Sequence, residues 1–170
     1  MKIGTADICD EHGDLAQVAE PVFLSFGGLS HCRGRIATIR IDEDNSDLIA
    51  SLNEPGQGRF LAVDAGGAYC AVVGERLARL AHQNGWAGLV INGYVRDISR
   101  ISAMPIGIWA LGACPRRSTR KARGQRGVEL EFAGVRFVPG HFLYADEDGV
   151  VVTARPVDAM NEQPAQSTAG

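Results

Sequence analysis

The stretch RFLAVDAGGAYCAVVGERLARLAHQNGWAGLVIN, residues 59–92, changes its hydrophobic period twice, and those changes decide the fold class. Residues 59–64 form a short apolar run that reads as a buried strand, followed by a small-residue loop from Ala65. A helix is expected over 74–84, where Leu77, Leu80 and Ala81 share one face at i, i+3 and i+4 while Arg76, Arg79 and Gln83 can face water. Gly85 sits where a glycine closes a helix, and 86–92 supplies the next strand. The whole reads as one βαβ unit. Its right-handed crossover makes the strands parallel and brings the loops after both to one sheet edge, where α/β proteins usually bind ligands.

Working outward, Thr5 is placed to cap a short acidic helix that Gly13 could end. Residues 34–41 alternate as a strand, and 47–52 form a short helix stopped by Asn53-Glu54-Pro55-Gly56. Downstream, 106–113 is another apolar strand. It leads into a loop over 115–127 that carries Arg116, Arg117, Arg120, Lys121, Arg123 and Arg126, six of the 17 basic residues. A hairpin over 128–132 and 135–138 turns at Ala133-Gly134, and 150–153 is a last strand after an Asp-Glu-Asp-Gly turn. From Pro156 the chain becomes polar and small, so a folded domain over 1–155 and a disordered tail over 156–170 are expected.

Length and composition agree with one α/β domain. The chain has 170 residues, 45% of them hydrophobic and 22% charged, enough to build a core without disulfides. A formal charge of −3 gives no global attraction to nucleic acid or to an anionic membrane. Cys9, Cys32, Cys70 and Cys114 lie far apart without a CxxC pair and read as reduced thiols. No apolar run approaches the ~18 residues of a membrane helix, and the first ten residues lack a secretory pattern. The expected compartment is the cytoplasm.

Candidate chemistry gathers at the sheet edge. Gly74-Glu75-Arg76-Leu77 opens the central helix, where free backbone N–H groups and the helix dipole suit a small carboxylate. Arg96-Asp97 follows the next strand toward the same edge; an arginine can grip a carboxylate in bidentate fashion, and an aspartate can coordinate Mg²⁺. The residues alone leave a plainer alternative open. Glu75 can be a dipole-stabilising residue paired with Arg79 at i+4, and an Arg-Asp pair in a loop is by itself weak evidence.

The segments Val73-Gly74-Glu75-Arg76-Leu77, Gly88-Leu89-Val90-Ile91-Asn92-Gly93-Tyr94-Val95-Arg96-Asp97, Gly134-Val135-Arg136-Phe137-Val138-Pro139-Gly140 and Tyr144-Ala145-Asp146 resemble the RraA-like family. That family contains the class II 4-hydroxy-4-methyl-2-oxoglutarate (HMG) aldolases and the regulator of ribonuclease activity A. Its signature, an acidic residue, twenty residues, then Arg-Asp, is matched by Glu75 and Arg96-Asp97. The resemblance covers most of the chain, roughly residues 5–152. It implies a swivelling-domain-like α/β sandwich assembling as a homotrimer, or a dimer of trimers, with active sites near subunit interfaces. It also implies that Asp97 ligates a divalent metal, Mg²⁺ or Mn²⁺, that Arg96 binds substrate, and that backbone amides of Gly74 to Leu77 hold it. Glu75 stands where the aldolases usually have aspartate, with the same charge and one more methylene. The activity implied is cleavage of HMG to two pyruvate, with oxaloacetate decarboxylation through the same pyruvate enolate and Glu75 moving protons through a water.

Two rival readings remain. Ala65-Gly66-Gly67-Ala68 resembles the glycine turn of an S-adenosylmethionine site, but it is not GxGxxG and the helix begins too late. The second is a non-catalytic regulator that binds a ribonuclease, with the basic loop as a contact or RNA-phosphate surface. That loop reads more readily as solvated or as an inter-subunit salt-bridge segment, and it has no interleaved aromatic residues for base stacking.

Overall fold

The computed structural model describes residues 3–42, 44–119 and 124–157. Helix α1 (Thr5–His12) runs into a 3₁₀ turn (Gly13–Leu15), followed by strands β1 (Ala16–Val18), β2 (Leu24–Ser25) and β3 (Cys32–Arg40). Then come α2 (Ser46–Leu52), β4 (Phe60–Asp64), β5 (Ala71–Val73), α3 (Glu75–Gln83), β6 (Gly88–Val95), α4 (Ile98–Ile101) and β7 (Gly107–Ala113). The chain closes with β8 (Gln125–Arg126), β9 (Leu130–Phe132), β10 (Val135–Phe137), β11 (Phe142–Ala145) and β12 (Val150–Thr153). This is a mixed α/β, single-domain fold. The main sheet runs in the order β1-β12-β11-β3-β4-β6-β7-β2, with β5 added beside β6 and β8 beside β3; β9 and β10 form a separate hairpin.

Its centre is parallel. β3 pairs with β4, β4 with β6 and β6 with β7, all in the same direction, while β11, β12, β1 and β2 are antiparallel additions at the flanks. Strands covered on both faces read as continuous apolar runs, and this explains why 59–64 and 106–113 carry so little polar alternation. Side-chain alternation nevertheless divides the core in two. Leu61, Val63, Leu89, Ile91 and Ile108 join Leu48 and Leu52 of α2 and Leu77, Ala78 and Ala81 of α3 in one cluster. Phe60, Ala62, Val90 and Trp109, from the same strands, join Leu130, Phe132, Val135 and Phe137 of the hairpin in the other. The sheet is thus packed between helices and a β-hairpin.

The expected βαβ unit is present with one addition. β4 and β6 are parallel neighbours and α3 crosses between them, but the small-residue loop also contains β5, whose Ala71 and Val73 lie beside Tyr94 and Val95. Three residues are too few to show a period. Gly85, at φ +76°, closes α3: its N–H donates to the His82 carbonyl and the next amide, of Trp86, to that of Ala81.

At the N-terminus the cap differs from expectation. Gly4 is the cap residue and Thr5 lies inside the first turn, because its side chain is used elsewhere. The Thr5 N–H and hydroxyl donate to the two carboxylate oxygens of buried Asp146, at 2.7 and 2.6 Å, fastening α1 to the end of β11. The packed domain also reaches past 155: Val157 is 1% exposed, and its N–H donates to the Tyr144 hydroxyl. The remaining tail residues, 158–170, lie outside the described residues, as do Arg120, Lys121 and Arg123 of the basic loop. The end of that loop is a strand rather than free chain, with Gln125 and Arg126 paired to Arg40 and Ile39.

Burial opposes ionisation of Asp146, but the hydrogen bonds from Thr5 and from the Asp148 amide outweigh it and hold the carboxyl below its usual range. A depressed carboxyl contributes stability above its unfolded pKa of about 3.9, and that stability is lost as pH falls through the lower folded value. Asp146→Ala should therefore cost about 2–3 kcal/mol in urea unfolding at pH 7, leaving two buried donors unpaired. The variant's disadvantage should shrink as the unfolding series is carried below pH 4.

Candidate active site

Where β5, β6 and α3 meet, the chain is held by short-range geometry. The Arg96 N–H donates to the Val73 carbonyl at 3.0 Å, so the end of β6 is tied to the strand that leads directly into α3. Gly74 follows as the cap of α3. A side chain there would crowd its neighbours: a Cβ would lie 2.7 Å from Oδ2 of Asp97, which would have to move, and 3.2 Å from Cγ of Arg96. Asp97 itself has φ +61° and ψ +40°, a left-handed conformation that aspartate tolerates better than most residues. This turn carries its carboxylate back over Gly74, where Oδ2 accepts the Glu75 N–H at 3.1 Å and lies 3.7 Å from Nε of Arg96. Asp97 therefore caps α3 from another element and satisfies one of its free N–H groups.

These residues border an open cleft of about 500 Å³. One wall is Gly74, Arg76 and Leu77; Arg96 and Asp97 stand beside them. Ala71 and Val72 of β5 and the Asp44-Asn45-Ser46 turn before α2 form further walls, with Arg117, Ser118 and Thr119 closing the site. Three arginines, Arg76, Arg96 and Arg117, thus line the cleft with Asp44 and Asp97, a balance suited to an anionic ligand.

Of the residues singled out from sequence, Gly74, Arg76, Leu77, Arg96 and Asp97 all border this cleft. Glu75 does not. Its carboxylate accepts hydrogen bonds from Arg79 on α3 and from Arg100 on α4, the latter at 2.5 Å. Those bonds, from Arg100 first and then Arg79, hold its carboxyl below the usual range. The i+4 pair expected from spacing is present, and Arg100 adds to it. The first helix amide, expected to be open to substrate, is engaged by Asp97.

Sequence reasoning missed the 44–46 wall and the role of Arg117. Ser46 N–H donates to Asp44 Oδ1 at 2.7 Å, an Asx turn whose only signal was the Asp-Asn-Ser run. Arg117 reaches the cleft because the basic loop is zipped onto β5: the Ala71 N–H donates to the Arg116 carbonyl at 2.7 Å and the Ser118 N–H to the Ala71 carbonyl at 3.1 Å. Cation count along the sequence cannot show that pairing. Arg126 is instead paired with Glu54 at 2.6 Å.

The donor set at Asp97 fits a hard divalent cation. Among the described residues no cluster of three or more His, Cys, Asp or Glu forms a protein-only cage. Mg²⁺ instead is often held by one or two carboxylates, with substrate and water completing its shell. A part-exposed carboxylate at an open cleft, with room for water and an anionic substrate, meets that requirement.

The close approach at Gly74 gives a direct check. Gly74→Ala should displace the Asp97 carboxylate, break its bond to the Glu75 amide and cost about 1–2 kcal/mol in denaturant unfolding, the size of a lost helix cap. The amide resonance of Glu75 should move with it.

Comparison with known proteins places this chain among relatives over most of its length. The family model for RraA-like proteins, described as Aldolase/RraA, matches residues 5–152. A protein from Laribacter hongkongensis, provisionally named a 4-hydroxy-4-methyl-2-oxoglutarate aldolase, is 46% identical over 158 residues, covering 92% of this chain and 99% of its own. Among solved structures, one described as an S-adenosylmethionine:2-dimethylmenaquinone methyltransferase from Geobacillus kaustophilus superposes with a TM-score of 0.89 at 44% identity, covering 92% of this chain and 98% of its own. The RNA-processing inhibitor RraA from Thermus thermophilis superposes at 0.87 with 41% identity, covering 92% and 95%. The conjunction of this match with the shared fold identifies the chain as a member of the RraA-like family.

Proposed function

We propose that this protein is a divalent-metal-dependent lyase that cleaves HMG to two pyruvate and decarboxylates oxaloacetate. The observation that carries the reading is the Arg96-Asp97 pair, held over Gly74 at the rim of a cationic cleft. The aldolase name borne by relatives such as the Laribacter protein supports the reaction class.

Asp97 would hold the metal, Mg²⁺ or Mn²⁺, which when bound supplies Lewis-acid polarisation of the 2-oxo acid's oxygens. Arg96 would grip the adjoining carboxylate and stabilise the charge that develops on the oxo oxygen. In aldol cleavage the C4 hydroxyl gives up its proton, the C3–C4 bond breaks, and its electron pair passes into the pyruvate enolate; a proton is then returned to C3. Oxaloacetate reaches the same enolate by losing CO₂. Glu75, one residue from the cleft wall, would serve these proton transfers through a water. Assembly as a homotrimer or a dimer of trimers belongs to this proposal. A cytoplasmic site of action is part of the same proposal; among the described residues no helix is long and apolar enough to cross a membrane.

The methyltransferase description of the Geobacillus structure does not extend to a cofactor turn here. Gly66 and Gly67 are both left-handed, at φ +62° and +69°, and the chain beyond them enters β5 instead of a helix N-terminus.

Pyruvate release from HMG and from oxaloacetate should require Mg²⁺, stop with EDTA, and fall at least about 100-fold in Asp97→Ala and in Arg96→Ala. Turnover no higher than that of metal alone would favour the alternative, a non-catalytic regulator that binds a ribonuclease.

A further inference from the structure

We infer that Arg100 is a positioning residue for Glu75: together with Arg79 it holds the Glu75 carboxylate outside the cleft, and turnover draws on the fraction released. The inference rests on the lyase reading above. Glu75 has its backbone at the rim, between Gly74 and Arg76 of the cleft wall, and its N–H donates to Asp97. Only its side chain turns away, with Oε1 accepting from Arg79 and Oε2 from Arg100. Arg100 is delivered by the left-handed turn at Asp97, since its own N–H donates to the Asp97 carbonyl at 3.0 Å and starts α4. The residue that caps α3 therefore also brings up the cation that restrains the first side chain of α3.

The restraint is reversible on physical grounds. The guanidinium side chains of Arg79 and Arg100 are 56% and 70% exposed, and an exposed ion pair of this kind shifts a population by only about twofold to fivefold. Salt screens it, because the Debye length falls to about 3–4 Å near 0.5–1 M. Rotation about the Glu75 side-chain bonds requires no backbone movement, so the hydrogen bond from the Glu75 N–H to Asp97 can persist while the carboxylate changes partner.

Steady-state pyruvate release should give Arg100→Ala a kcat about twofold to fivefold above the wild type with KM unchanged, since Arg100 does not border the cleft. Arg100→Lys should return toward the wild-type value. In a Glu75→Gln background the gain from Arg100→Ala should vanish, which a general structural effect of Arg100 would not do. An unchanged or lowered kcat in Arg100→Ala, or the same gain without Glu75, would overturn the inference. A second readout does not depend on turnover: the side-chain carboxyl ¹³C signal of Glu75, assigned by its loss in Glu75→Gln. It should shift in Arg100→Ala and, in the wild type, on adding about 0.5 M salt. If no variant releases pyruvate, the lyase reading fails, and this signal alone decides the restraint: movement upholds it and a fixed signal overturns it.

Discussion

One carboxylate oxygen joins three elements of this protein. Oδ2 of Asp97, at the end of β6, accepts the first amide of α3 and stands beside Arg96. It can do so because residue 74 has no side chain and Asp97 adopts a left-handed backbone. The same turn begins α4 and brings Arg100 toward Glu75. Without this bond an N–H of α3 would lose its cap and Asp97 its fixed place above Gly74. The geometry of the cleft follows from that placement.

The rest of the fold supplies rigidity behind it. β4, β6 and β7 are buried between the helices and the β9–β10 hairpin, so their ends cannot shift without disturbing both cores. β5 extends the sheet at the edge where β6 ends and serves as a hub: it receives the 116–118 segment, binds the Arg96 amide, and hands the chain to α3. Arginines from α3, from the turn after β6 and from the basic loop then border a common space.

Much of this arrangement was legible in the residues. The apolar runs of β4 and β7 and the one-sided helix α3 carry strong periodic signals, and Val150–Thr153 was read with its bounds intact. The family motif pointed to Arg96 and Asp97, and both border the cleft. What escaped was short or tertiary. β1, β2 and β8 have two or three residues at sheet edges, mostly exposed, and so lack an inward-facing pattern. The Glu75–Arg79 pair follows from helical spacing, whereas Arg100 reaches Glu75 only through the turn at Asp97, and no local signal marks that backbone conformation. For the same reason the outward direction of the Glu75 side chain could not be read from its place in the motif.

The most direct test of the central assignment is Mn²⁺ binding to the wild type and to Asp97→Asn, followed by water-proton relaxation. Asparagine retains an oxygen to accept the Glu75 amide, so it preserves the cap while removing the charge. The wild type should bind Mn²⁺ saturably and Asp97→Asn should lose about tenfold or more in affinity, at an unchanged melting temperature. Equal affinity in the two proteins would contradict that assignment, by showing that the carboxylate above Gly74 caps a helix and holds no metal.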